Sequence, residues 1–293
     1  LRSDATPQPG VEVDAGQTAR ELASEVLTTL NSLLSLRPGD DGLQAQQEEL
    51  LHELGELQAA RDVALQRAEA AAGSAEPAVQ AQRWLALFRR ELELGNLTGA
   101  EQALERALSL QPDSTATLHS LVELHQRTGN HAGQAAALAR LASHEPELEE
   151  AVAALRQAAQ LTQDTLGDVE GARRLLLSAL ARAETAAAAA TDSPEQHAAA
   201  QRALCTVLLP LFDLARKEGD TVGAMSYGRR AIETEVVPAG RAAELHNVLG
   251  KAALANGSTF DAIHHFESAL RTEPGQLEPT RALVELLYPA GEF

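Results

Sequence analysis

Residues 95–112 read GNLTGAEQALERALSLQP, and residues 257–274 read GSTFDAIHHFESALRTEP. In both stretches a glycine is followed by apolar residues three and four positions apart, and a proline comes 17 residues after the glycine. That apolar spacing is typical of one buried face of a helix. The glycine can end the preceding helix in the left-handed conformation, and the proline, which has no backbone N–H, helps to stop the new one. Thr98 and Glu101 have capping-box spacing, which predicts the start of the first of these helices.

Glycines that follow a helical apolar run recur along the whole chain, at intervals of 40, 34, 38, 52, 38 and 34 residues. They are Gly55, Gly95, Gly129, Gly167, Gly219, Gly257 and Gly291. Two intervals are longer than 34 by four residues, about one helical turn. Internal repeats of this length indicate stacked helix pairs, so we expect about fourteen helices and no sheet.

The residues between the glycines resemble the tetratricopeptide repeat family, in a degenerate form of the bacterial type. Residues 81–114 have the family's residue types at the family's spacings, namely Trp84, Leu87, Leu94, Gly95, Ala100, Leu104, Ala107 and Pro112. Residues 243–276 match in the same way through Leu249, Gly250, Gly257, Ala262, Phe266, Ala269 and Pro274. The resemblance implies an all-α, right-handed superhelical solenoid of antiparallel helix pairs.

The predicted organisation is a disordered or extended leader over residues 1–16 and a helical repeat array over residues 17–293. The 52-residue interval predicts irregular, overlong helices within residues 169–218, joined at residues 191–193. Ser193 before Pro194 is a helix-start signal. Pro210 lies inside the second long helix and is expected to kink it.

Composition and motifs argue against several functions. The net charge is −18, and the chain lacks the basic stripe that nucleic acid requires. It has no phosphate-binding glycine loop, metalloprotease helix or nucleophile elbow, so we expect no enzyme activity and no cofactor. His119 and Glu123 have a metal-ligand spacing, but two ligands do not make a site. Cys205, the only cysteine, and Trp84 are both expected in the core.

We expect a protein that does not insert in a membrane, because its apolar runs are interrupted by charges before about 18 residues. The single cysteine fits a reducing compartment, and the cytoplasm is the expected location. The sequence begins at Leu1 rather than Met, which leaves open an upstream signal peptide or anchor.

In the tetratricopeptide family, partners often bind a concave groove lined by the first helix of each pair. The resemblance therefore implies an interaction scaffold for a protein or peptide. The alternative is a sensory or regulatory helical-repeat module of a larger signalling protein or enzyme. In residues 81–94, the candidate groove residues form the stripe that lies beside the buried face of the helix. Equivalent positions in the other repeats give further candidates, and charged residues close to these positions are included. The candidates are Arg89, Leu92, His119, Glu123, Asp213, Arg216, Lys217, Asn247, Lys251 and Arg281.

Charge along this expected groove suggests an orientation for a bound segment. Lys217 and Lys251 are the only lysines, 34 residues apart, whereas acidic residues such as Glu123 dominate earlier first helices. The acidic or C-terminal end of a partner is therefore expected near Lys251 and its basic end near Glu123. Some family members grip a terminal carboxylate with paired lysines and asparagines, but here only Asn247 and Lys251 suit that role.

Overall fold

The computed structural model describes residues 15–73, 76–190 and 193–288, which form fourteen helices and no strand. The helices are α1 (Ala15–Leu36), α2 (Asp41–Glu53), α3 (Leu57–Ala71), α4 (Pro77–Glu93), α5 (Leu97–Leu110), α6 (Thr115–Arg127), α7 (His131–His144), α8 (Leu148–Asp164), α9 (Val169–Ala189), α10 (Pro194–Glu218), α11 (Thr221–Glu233), α12 (Ala239–Ala255), α13 (Thr259–Thr272) and α14 (Leu277–Leu287). The predicted all-α class is confirmed. Residues 1–14 of the expected leader and Gly291 lie outside the described residues, and α1 already begins at Ala15.

Six of the marker glycines lie at the helix ends where the sequence places them. Gly55, Gly95, Gly129, Gly167, Gly219 and Gly257 all have positive φ, between 66° and 82°. After Gly95, the amide of Asn96 donates to the carbonyl of Glu91 (2.8 Å), and the same six-to-one bond recurs from Asp220 to Ala215 (2.9 Å). This hydrogen bond closes the helix end in the manner of a Schellman motif, which fixes the tight reversal of each pair.

The helix after each turn begins with a different cap from the one expected. Asn96, not Thr98, is the N-cap of α5, and its side-chain oxygen accepts from the Gly99 amide at 3.2 Å. Four successive turns use this arrangement, Gly followed by Asn or Asp and a second Gly three residues later. The caps of α5, α7, α9 and α11 are Asn96, Asn130, Asp168 and Asp220. The capping-box prediction was wrong because an Asx side chain directly after the turn glycine satisfies the free amides first.

The chain divides into two compact units, residues 1–124 and 125–293. In the first unit each helix from α1 to α5 packs on the next. Its core joins Phe88, which is fully buried, to Leu87, Leu104 and Ala107, and the partly buried Trp84 packs against this cluster. Small Ala side chains allow close helix approach at the α4–α5 contact, as the low aromatic content predicts.

A buried ion-pair network ties α2, α3 and α4 together in the first unit. Glu48, only 4% exposed, accepts hydrogen bonds from Arg67 and from Arg90, the latter at 3.0 Å. Arg90 also bonds Glu49 at 2.9 Å, and Arg67 bonds Asp41 at 3.1 Å. Partial burial opposes ionisation of Asp41, but Arg67 and Arg83 together outweigh it and lower the pKa of that carboxyl group.

In the second unit, consecutive helices from α7 to α14 pack in sequence, and α8 also contacts α10. Phe212 and Phe266 are fully buried in its core. Arg182 of α9 donates to the carbonyl of Ala142 at 2.6 Å and to that of Glu145, and so caps the C-terminal end of α7. The two long helices, α9 and α10, have 21 and 25 residues.

Helix α10 starts at the expected signal and continues through its proline. The Ser193 side chain accepts from the Gln196 amide at 3.3 Å, and Pro194 is the first helical residue. The helix runs without interruption past Pro210 to Glu218 and ends at Gly219 in the left-handed conformation. Cys205 is buried in this helix, and burial raises the pKa of its thiol against the opposing hydrogen bond with Thr234.

A candidate protein-docking face

The candidate residues of the first unit are Arg89, Leu92, His119 and Glu123, and they do not share one kind of environment. Arg89 and His119 are exposed, and Glu123 is half-buried. Leu92 is 5% exposed and belongs to the core cluster of this unit, as does its neighbour on the same stripe, Leu85. Leu92 is therefore corrected from a groove residue to a core residue. Helix α4 is buried on two sides, because Leu85 and Leu92 are buried as well as Leu87 and Phe88. The positions of Leu85 and Leu92 are therefore not free to contact a partner.

In the part of the chain that the structure describes, no third metal-ligating side chain joins His119 and Glu123. Within residues 15–73, 76–190 and 193–288, no three His, Cys, Asp or Glu side chains are grouped so that they could hold a metal ion. We therefore turn to the first helices of the second unit, α8, α10, α12 and α14, where the remaining candidates lie.

Charged side chains of α10 and α12 form an ion-pair network between the two helices. Arg241 donates through Nη2 to both carboxylate oxygens of Asp213, each at 2.8 Å, and it also bonds Glu244. Arg216 pairs with Glu244, and its guanidinium carbon lies 5.5 Å from the centre of the Phe212 ring. Partial burial disfavours the charge of Arg241, but the carboxylates of Asp213 and Glu244 together outweigh this effect and raise the pKa of Arg241. This ion-pair network holds the side chains in fixed positions.

The two residues suited to gripping a carboxylate already hold one from this chain. Asn247 donates to Glu278 of α14 at 2.9 Å, and Lys251 donates to the same oxygen at 2.6 Å. These hydrogen bonds, with that from Lys251 the strongest influence, lower the pKa of Glu278. Arg281, 83% exposed in its side chain, pairs with Glu285 one turn along α14 at 2.8 Å. The C-terminal candidates are thus neutralised by neighbouring glutamates.

Two adjoining depressions lie on the faces of α8, α10 and α12. The larger, about 410 Å³, includes Arg202, Arg241 and Thr206, and the smaller, about 200 Å³, includes Lys217 and Asp164. The two depressions share three lining residues, Arg156, Pro210 and Asp213. We call the two together the α8–α10–α12 trough, defined by Arg156, Arg202, Thr206, Pro210, Asp213, Lys217 and Arg241.

Four cations and two carboxylates line the trough, in a protein of net charge −18. Asp213 is engaged by Arg241, and Arg202 bonds Glu149 of α8 at 2.8 Å. Arg156 and Lys217 are exposed, and neither has a carboxylate partner among the described residues. The trough is therefore a local positive surface with two cations available to a ligand.

Sequence reasoning found Asp213 and Lys217 of this trough and missed Arg156, Arg202 and Arg241. Thr206 and Arg202 precede Pro210 by about one and two helical turns on one face, so extending the α10 stripe upstream would have reached them. Arg156 and Arg241 come from other helices, and only the packing of α8 on α10 and the ion pair of Arg241 with Asp213 bring them here.

Helix α10 is also apolar enough, by length and composition alone, to cross a membrane. Its best 18-residue window has a mean hydropathy of 1.3, and half of that window is buried within the protein. It is the one such helix in the described part of the chain. Core helices of soluble proteins pass the same test, so this property does not identify a membrane span.

Antiparallel helix pairs, closed by left-handed glycines and repeated along the chain, define an α-helical repeat protein. Residues 81–124 match the family model of the tetratricopeptide repeat. Over these residues the chain therefore carries a tetratricopeptide repeat, as the resemblance predicted. Proteins of this kind are generally interaction scaffolds rather than enzymes. No curated protein sequence gives a significant match.

Solved structures with the same fold are distant in sequence. A chain of the Naa15/Naa10 complex bound to HypK-THB is 16% identical with a TM-score of 0.56, and the match covers 91% of this chain and 36% of that chain. The C-terminal part of a TPR repeat-containing protein from Cytophaga hutchinsonii is 12% identical with a TM-score of 0.52, covering 91% and 96%. The present chain thus spans about a third of the first of these, and the likeness concerns the fold.

Proposed function

We propose that this protein is a non-catalytic scaffold and that its α8–α10–α12 trough docks an extended segment of a partner protein. The observation that carries the proposal is the pair of adjoining depressions that share Arg156, Pro210 and Asp213. Their combined volume lies within the range of known ligand sites. The first helices of repeat pairs line the trough, which is the face expected from the family resemblance.

Pre-organisation of the trough supports this function. Asp213, Arg241 and Glu244 are fixed by mutual hydrogen bonds, so fewer side chains need to be ordered when a partner binds. The Naa15/Naa10 complex, which has the same fold, is bound to HypK-THB. That association supports protein partners for this chain as a class, without indicating which protein binds.

Site-specific photocrosslinking in cells tests the location. A photoreactive amino acid replaces Leu209, which lines the trough, and in a matched variant it replaces Val222, which is 79% exposed on α11. We expect a defined adduct from position 209 that is lost when Arg156 and Lys217 are also changed to Glu. The same adduct at equal yield from position 222, or an adduct at 209 that survives the charge changes, would contradict docking in the trough.

A further inference from the structure

Pro210 gives the trough a chemical feature that an ordinary helix face lacks. Proline has no backbone N–H, so the carbonyl oxygen of Thr206, four residues earlier, receives no hydrogen bond from position 210. Helical carbonyls point along the axis toward the residue four positions ahead. Thr206 and Pro210 both line the larger depression, so this stretch of the α10 backbone borders the trough.

An acceptor at this position can bind a main-chain N–H of an extended segment. The Thr206 hydroxyl is used elsewhere, since it donates to the carbonyl of Arg202 at 2.7 Å, and therefore does not satisfy the Thr206 carbonyl. Extended peptides present their N–H groups to the outside, whereas a helix uses its own N–H groups internally. The open carbonyl thus favours an extended ligand over a helical one.

The charges around this acceptor specify the side chains of the ligand. Arg156 and Lys217 carry no ion pair within the described residues, and Arg202 is 55% exposed in its side chain and bonded to a single carboxylate. The nearby acid Asp213 is occupied by Arg241 through two 2.8 Å bonds. Acidic side chains would meet two available cations, Arg156 and Lys217, whereas basic side chains would meet a single available carboxylate, that of Asp164 in the smaller depression.

We propose, resting on the docking function above, that the trough binds an extended acidic segment of a partner protein, with a main-chain N–H of that segment donating to the Thr206 carbonyl. The carboxylates of the segment bond Arg156 and Lys217. Pro210 is then a specificity-determining residue, because it leaves the acceptor open.

Fluorescence anisotropy with synthetic peptides on the full chain tests the charge. Three labelled peptides of equal length carry Glu, Gln or Lys at every second residue. We expect the Glu peptide to bind at least about tenfold more tightly than the Gln peptide at low salt, and more weakly as salt is raised. Arg156→Gln with Lys217→Gln should abolish that preference. Arg174→Gln, a control on α9 whose side chain is 73% exposed, should preserve it.

Pro210→Ala tests the carbonyl, because alanine supplies the missing N–H and closes the acceptor. We expect the thermal midpoint to rise and the affinity for the Glu peptide to fall about fivefold, the value of one hydrogen bond. N-methylation of one backbone N–H of the Glu peptide should lower its affinity for the natural protein by a similar factor. The same N-methylated peptide should bind Pro210→Ala no more weakly than the unmodified Glu peptide does. An unchanged affinity for Pro210→Ala, or N-methyl effects that are the same in both proteins, would overturn the carbonyl's role.

The outcomes separate this inference from the docking function. If the Gln or Lys peptide binds best, and binding is lost when Leu209 is changed to Glu in the trough, the trough docks segments but the acidic assignment is wrong. If a pre-formed helical peptide competes better than the extended Glu peptide, the extended conformation is wrong. If no peptide binds and position 209 yields no crosslink, the docking function itself fails.

Discussion

The ring of Phe266 in α13 packs directly against the backbone of Gly250 in α12. A methyl group built on Gly250 would lie 2.7 Å from Cε1 of that ring, which is fully buried. The Gly250→Ala variant should therefore be less stable by about 1–3 kcal/mol, as overpacked core variants are. The measurement is chemical denaturation of the purified chain.

Gly240 provides the matched control for this substitution. It lies on the same helix, α12, and a methyl group there would meet no atom within 4 Å. Gly240→Ala should be neutral or slightly stabilising, because alanine favours helix. Equal losses for the two variants would mean that the Phe266 contact is not the cause.

The turn glycines could be predicted from the sequence because their conformational requirement is local and recurs along the chain. A left-handed residue is needed at each reversal, and the same apolar register recurs between residues 81–114 and 243–276. The candidate site was predicted less well. Leu92 lies in the core because of the helices that pack against α4. The local sequence around Leu92 does not indicate which helices these are.

Glu48 should be essential to the first unit, whereas its neighbour Glu49 should not. Both contact Arg90, but the Glu48 side chain is 5% exposed and also neutralises Arg67, while the Glu49 side chain is 64% exposed. Glu48→Gln leaves two mostly buried guanidinium groups without their shared carboxylate, and we expect a loss of about 3–5 kcal/mol. Glu49→Gln should cost less than about 1 kcal/mol. Urea denaturation of both variants distinguishes these values; similar losses would show that burial of the network does not matter.

Each N-cap residue that follows a turn glycine should contribute to the stability of the folded protein. The Asp220 carboxylate accepts from the Gly223 amide at 2.9 Å at the start of α11. Asp220→Ala should cost about 1 kcal/mol, and Asp220→Asn, which retains the acceptor, should cost little. Thermal unfolding monitored by circular dichroism measures both. A loss as large for Asn as for Ala would assign the effect to charge at the helix start instead.

Stability should fall on mild acidification because of a histidine pair between α12 and α13. Nδ1 of His246 lies 3.1 Å from Nδ1 of His265. Burial, followed by the influence of His265, His264 and Arg271, lowers the pKa of His246 to about 4. Burial, the neighbouring His264 and the charge of Arg229 likewise lower the pKa of His265, against the opposing effect of Asp261.

The direction of the pH effect follows from proton binding. Between the ordinary histidine pKa of about 6.5 and the folded value, the unfolded chain binds more protons, so acid favours unfolding. The stability associated with neutral His246 is present above about pH 6.5 and is lost as the pH falls toward 4. Thermal midpoints measured across this range should decline less steeply for His246→Gln than for the natural protein. Parallel declines would assign the acid sensitivity to carboxylates elsewhere.

The C-terminal candidates Lys251 and Arg281 should contribute less to binding than Arg156 and Lys217. Lys251 is engaged by Glu278 at 2.6 Å and Arg281 by Glu285 at 2.8 Å, so an incoming carboxylate would have to displace a carboxylate of the same chain. Reversing Lys251 and Arg281 to Glu should therefore change the affinity for the acidic peptide by less than about threefold, chiefly through long-range repulsion that salt screens. Reversing Arg156 and Lys217 should remove binding at both low and moderate salt. If the C-terminal pair has the larger effect at both salt concentrations, with helix content unchanged, the acidic segment binds beside α12 and α14, as the sequence alone suggested.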